Sequence, residues 1–190
     1  VNSIDSLILL VNSKQVAYGY FKGITLSTIR TIYELSISAN ILNCSFSTFM
    51  QANCTDTDFK KDFPCVIDEY KQMINGLNTM GLTSTTRGHG ANKMPNSLGI
   101  EFNSRLTATI SKPFVKVYHK ELQENSYDFA DRYLSDINYK DIIRIESTVK
   151  DKKHFKTLLP ELKDTSLDSI LNLTTSQKDI IMADSFNRNL

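Results

Sequence analysis

Apolar and polar positions alternate in several short runs of this chain, and in a few longer stretches the apolar positions recur every three or four residues. The first pattern marks half-buried strands and the second marks amphipathic helices. Residues 4–11 form a short apolar run, and residues 15–21 alternate after the turn-like Asn12-Ser13-Lys14, so the two read as a pair of strands. Residues 25–43 stay open between helix and strand. Ile29, Ile32, Tyr33 and Ile37 make a helical stripe, but the β-branched content also suits strands. Residues 47–59 are expected to hold one strand, ending in Asp56-Thr57-Asp58. A helix is predicted over residues 63–80, with Asp62 as its N-cap, Pro64 in the first turn and Gly81 at its close. Its buried stripe is Val66, Ile67, Tyr70, Ile74 and Leu77.

Residues 83–97 are rich in Gly, Asn, Ser and Thr and read as a long loop. Strands follow at residues 98–103, 112–118 and 141–149. Between the last two, Ser126 caps an expected helix carrying Phe129, Ala130, Tyr133, Leu134 and Ile137. After Lys150 short helical pieces are expected, one of them capped by Ser166. The pattern is α+β: a largely antiparallel sheet with helices on one face and the other face left open, a layout that a nucleic-acid binder requires. Residues 1–150 are assigned to one catalytic domain, and residues 151–190 to a helical extension packing on it.

Strand side chains alternate, so i and i+2 share a face. Phe114, Lys116 and Tyr118 therefore share one face, with Val115 and Val117 opposite. Asp56 and Asp58 share a face, and so do Arg144 and Glu146, with Ile143 and Ile145 opposite. If these strands are neighbours, one sheet face gathers three carboxylates, two cations and a tyrosine. Such a face suits a divalent metal and a phosphodiester. Asp56, Asp58 and Glu146 are hard oxygen ligands appropriate to Mg²⁺ or Mn²⁺. Glu101 and Glu121 are reserve acidic candidates. The bland alternatives are a packed sheet tyrosine, a solvated acidic turn and a surface ion pair between Arg144 and Glu146.

Charge and cysteine usage narrow the setting. The 190 residues carry a formal net charge of +1, so the chain is no general polyanion binder. Basic residues nevertheless cluster locally at Arg87, His89 and Lys93, then Arg105, Lys112 and Lys116, as a candidate positive lip. Three cysteines without a CxxC pair favour a reduced cytosolic protein over a disulfide framework or a zinc site. No signal peptide and no membrane span is read from the sequence.

The order Asp-x-Asp-Phe at Asp56–Phe59, Phe102-Asn103-Ser104, Val117-Tyr118-His119-Lys120 and Arg144-Ile145-Glu146 resembles replication initiators of the filamentous-phage gene II type. It is also similar to plasmid rolling-circle initiators with a Tyr-x-Lys motif. The matching pieces cover about a third of the chain. The resemblance implies an HUH-endonuclease-like fold and a nickase that joins Tyr118 to a 5′ phosphate at an origin. By charge and by position beside the tyrosine, Lys116 and Lys120 are candidate catalytic lysines that stabilise the phosphate or tune the phenol, and Arg87, Lys93, Asn103, Arg105, Lys112 and Arg144 are candidate DNA contacts. The resemblance further implies origin DNA as partner, a host helicase beside it, no membrane, and a place in the bacterial cytoplasm. A non-catalytic DNA-binding or regulatory module related to such initiators is the alternative. The His-hydrophobic-His pair of many rolling-circle nickases is missing, since His89, His119 and His154 lie far apart. Tyr127 and Tyr133, on the expected helix, are read as packing before either is read as a second nucleophile.

Overall fold

The run Thr-Asp-Phe-Lys-Lys-Asp-Phe-Pro sets aromatic residues on one side of a strand and Asp58, Lys60 and Asp62 on the other. In the computed structural model it is β1, Thr57–Pro64, one of four antiparallel strands among the described residues. The structure describes residues 24–79, 99–103, 108–124, 140–150 and 152–189. The expected strands at residues 4–11 and 15–21, the loop at 83–97 and the helix beginning near Ser126 lie outside them. The chain divides into two compact units, residues 1–49 and 50–190.

In the first unit the ambiguous stretch resolves as helix α1, Leu26–Ser38. Thr25 caps it, its hydroxyl accepting from the Thr28 N–H, and Ile29 and Ser36 are its buried residues. Helical spacing prevails there over β-branched propensity, which is a weak local preference. Helix α2, Phe46–Met50, follows. Tyr33 packs edge-on against Phe46, with ring centroids 5.1 Å apart, and donates its hydroxyl to the Cys44 carbonyl at 2.7 Å.

The second unit holds the sheet. Its remaining strands are β2 (Gly99–Phe102), β3 (Phe114–His119) and β4 (Ile142–Val149), in the spatial order β1-β4-β3-β2. Three helical segments lie between strands or after them: α3 (Ile67–Thr79), α4 (Lys120–Glu124) and the C-terminal α5 (Lys152–Leu158). Two more among the described residues are α6 (Leu167–Leu171) and α7 (Thr175–Asn187). Ser166 caps α6, and Thr174 with Gln177 forms a capping box on α7.

The apolar face of the sheet carries the core. On one side Phe59 and Val149 pack with Phe155, Leu158, Leu159, Ile170, Leu173, Ile181 and Met182 of the C-terminal segment. On the other, Val115, Val117 and Ile143 pack with Phe102, Leu122 and the α3 residues Tyr70 and Ile74. Residues 152–189 thus build part of the sheet's own core.

Two sequence expectations shift here. The strand expected to end at Asp58 instead begins at Thr57, and the preceding residues form α2 and a bend. The helix expected from residue 63 begins at Ile67, because Phe63 and Pro64 pair with Ile143 and Ile142 in the sheet. A proline is tolerated there at a strand end.

Candidate functional site

Register brings the polar residues together. Asp62, Arg144 and Tyr118 are successive cross-strand partners over β1, β4 and β3, and so are Lys60, Glu146 and Lys116. The neighbouring row pairs Asp58 with Thr148 and Thr148 with Phe114. All nine side chains lie on the sheet face opposite the apolar core, since each is an even number of residues from its strand neighbours. The expected adjacency of the three strands is therefore present.

Tyr118 is the centre of this face. It is 5 % exposed, and its hydroxyl donates to Glu146 Oε1 at 2.7 Å. The Lys116 ammonium stands 4.5 Å from the centre of its ring and the Lys120 ammonium 5.3 Å. Lys120 is the first residue of α4 and is fully buried. Both cations lie within the range of attraction to the face of an aromatic ring. His119 turns to the apolar side, where its ring lies tilted against Tyr70, centroids 5.4 Å apart, and its Nε2 meets the Cys65 carbonyl at 2.9 Å.

Arg144 is 1 % exposed. Its Nε and Nη2 donate to Asp62 Oδ1 and Oδ2 at 2.6 and 2.8 Å, a two-pronged bond. Its Nη1 lies 4.0 Å from Glu146 Oε1, the oxygen that accepts the Tyr118 hydroxyl. Arg144, expected to touch DNA, is instead an internal clamp. Asp62, expected as a helix cap, is the other half of it. The face expected to be open is closed at its centre, where Tyr118, Arg144, Lys120 and Thr148 are buried. It opens toward Glu146, whose side chain is 27 % exposed, and toward Asp62 at 26 %.

Lys60 was not singled out by sequence, although the i, i+2 spacing of Asp58, Lys60 and Asp62 was readable. Burial holds its ammonium down to about 8, Arg144 adds repulsion, and Asp62 and Glu146 pull weakly the other way. Such a group binds fewer protons in the folded chain than in the unfolded one between about 8 and its ordinary 10.5. Its cost is fully present below pH 8 and fades as pH rises through that window. Lys60→Met is expected to flatten the parent's rise in melting temperature from pH 8 to 10, a difference of about 1–2 kcal/mol after discounting for solvent. An unchanged slope in the variant contradicts this.

The carboxylates expected as metal ligands are placed apart. Asp56 is exposed in the bend before β1. Asp58 accepts from the Thr148 hydroxyl at 2.5 Å, and Glu146 is engaged by Tyr118. Among the described residues no three His, Cys, Asp or Glu side chains form a group that could hold a metal ion. Asp56, Asp58 and Glu146 as placed do not fit a shared Mg²⁺ or Mn²⁺, and no step is derived through one.

Of the expected DNA track, Asn103 is structural. It sits at φ 62, a conformation Asn tolerates, and its amide donates to the Pro113 carbonyl and to Asn189 Oδ1. Lys112 is exposed in the turn before β3. Arg87, Lys93 and Arg105 lie outside the described residues, as do Tyr127 and Tyr133. Glu121, on α4, is half-buried. No helix among the described residues is long and apolar enough to cross a membrane. No protein-family model, curated protein or solved structure matches this chain.

Proposed function

We propose that this chain is a DNA-nicking replication initiator of the rolling-circle kind, built on an HUH-like α+β scaffold, with Tyr118 as its nucleophile. The observation that carries the reading is the Tyr118 hydroxyl donating to Glu146 at 2.7 Å with two lysine ammoniums beside its ring. A phenol is a suitable nucleophile for reversible phosphoryl transfer, because a phenolate also leaves well enough for religation. In the first step Glu146 takes the phenolic proton as Tyr118 Oη attacks phosphorus. The bond between phosphorus and the 3′ oxygen breaks, the 3′ oxygen leaves as a hydroxyl after taking a proton from water, and the 5′ phosphate stays joined to the tyrosine. Lys116 and Lys120 offset the charge that grows on the phenolic oxygen and the phosphoryl group. Glu146 lies between the buried tyrosine and solvent, so the hydroxyl is one hydrogen bond below the surface. The substrate is single-stranded origin DNA and the working place the bacterial cytoplasm, with a host helicase as a further partner.

The reading is tested by incubating the protein with labelled single-stranded oligonucleotides, in the presence of Mg²⁺ or Mn²⁺ and in EDTA, and denaturing the mixture. A labelled protein band that survives denaturation is expected. Its absence under every condition overturns the reading.

A second reading has its own observation. Tyr118, Arg144 and Lys120 are almost fully buried, as expected of a network that holds a sheet together. In that reading the chain is a DNA-binding or regulatory module, and salt-sensitive DNA binding without a covalent band is its signature.

A further inference from the structure

We infer that Asp62 and Arg144 form a positioning pair for the proton acceptor of the tyrosine, an inference that rests on the nicking reading. The geometry is a relay of three contacts. Asp62 takes two of the three guanidinium nitrogens of Arg144, at 2.6 and 2.8 Å. That fixes the guanidinium plane, since a planar fork met by both carboxylate oxygens has one orientation. The third nitrogen, Nη1, is thereby turned toward Glu146 Oε1 at 4.0 Å. The same oxygen accepts the Tyr118 hydroxyl at 2.7 Å.

This placement has a chemical consequence. Glu146 must keep a lone pair aimed at the phenol. Held by Asp62, the Arg144 guanidinium stays 4.0 Å from Glu146 Oε1, so the short bond to that oxygen is left to the Tyr118 hydroxyl. Were Arg144 released from Asp62, it would be free to pair with Glu146 directly and displace the tyrosine. Asp62 thus acts through Arg144, and Arg144 through Glu146. Neither touches the reacting atoms. The face also carries Asp58 and Lys60 of β1, Lys116 of β3 and Lys120 of α4, and Glu101 of β2 is in register with Lys116.

A structural role and a positioning role are separable. Replacing a buried ion pair by apolar residues of similar size is often neutral for stability. The double variant Asp62→Leu with Arg144→Met is therefore expected to stay folded yet form the covalent DNA adduct about ten- to a hundredfold more slowly. Arg144→Lys is the second variant. It keeps the buried charge but cannot hold Asp62 with two nitrogens and face Glu146 with a third. Its maximal adduct rate is expected to fall at least about tenfold, with the half-saturating DNA concentration unchanged. Either folded variant reacting at the parent's rate overturns the inference, and so does a loss confined to DNA affinity. If the double variant does not fold, Arg144→Lys decides the matter alone. Failure of the underlying reading looks different: the parent protein itself forms no adduct, or Tyr118→Phe forms it normally, and the inference then falls with it.

Discussion

Tyr118→Phe is expected to lower covalent DNA capture by at least about a thousandfold while leaving the fold in place. The variant removes one oxygen from a side chain whose ring stays packed under Lys116 and Lys120. The lost bond to Glu146 costs about 1 kcal/mol, as one hydrogen bond does. Glu146 is partly exposed, so water can replace the hydroxyl and no buried charge is stranded. The chemical loss is of another order, because without the phenol there is no atom to carry the phosphoryl group. Adduct yield against time, with melting temperature measured alongside, checks both halves. A variant that captures DNA at the parent's rate removes Tyr118 from the mechanism. A variant that unfolds would mean that the hydroxyl serves the fold.

Asp62→Ala is expected to be the most destabilising single change on this face, by about 3 kcal/mol. The Arg144 side chain is only 2 % exposed and keeps its charge under all ordinary conditions. Removing Asp62 leaves that charge buried with two of its hydrogen bonds gone. The effect stays near the lower end of what breaking a buried pair costs, because the Asp62 side chain is 26 % exposed and water can reach its place. For a chain of this size the loss corresponds to a fall of about 6–12 °C in melting temperature. Thermal unfolding of the variant beside Asp58→Ala is the check. Asp58 is exposed and accepts from the Thr148 hydroxyl, and at an exposed position its loss should cost less than about 1 kcal/mol. Equal melting temperatures for the two variants contradict the clamp.

How legible this arrangement is from sequence depends on the range of the forces involved. The facing of Lys116 with Tyr118 and of Arg144 with Glu146 follows from strand alternation, and β3 and β4 were placed within a residue or two of their ends. The cap at Ser166 was legible because capping is a contact three residues long. Asp62 was misread for the same reason. A carboxylate before a helical stripe has the local signature of a cap, but Arg144, 82 residues away, makes two charge-assisted bonds to it. Asp56-Thr57-Asp58 suggested a pair of ligands on one face. The strand begins only at Thr57, so Asp56 lies in the bend and shares no pleat with Asp58. The burial of the polar face was not legible at all. Alternating charged and aromatic residues usually mark a solvated face, and only tertiary packing decides otherwise.

The most direct measurement is the site of the covalent link. The parent protein is incubated with single-stranded origin-type DNA, digested with nuclease and protease, and its peptides are weighed. The account predicts a nucleotide phosphate on the peptide containing Tyr118 and on no other. A nucleotide on Tyr127 or Tyr133, or an unmodified Tyr118 in a protein that cuts DNA, contradicts it.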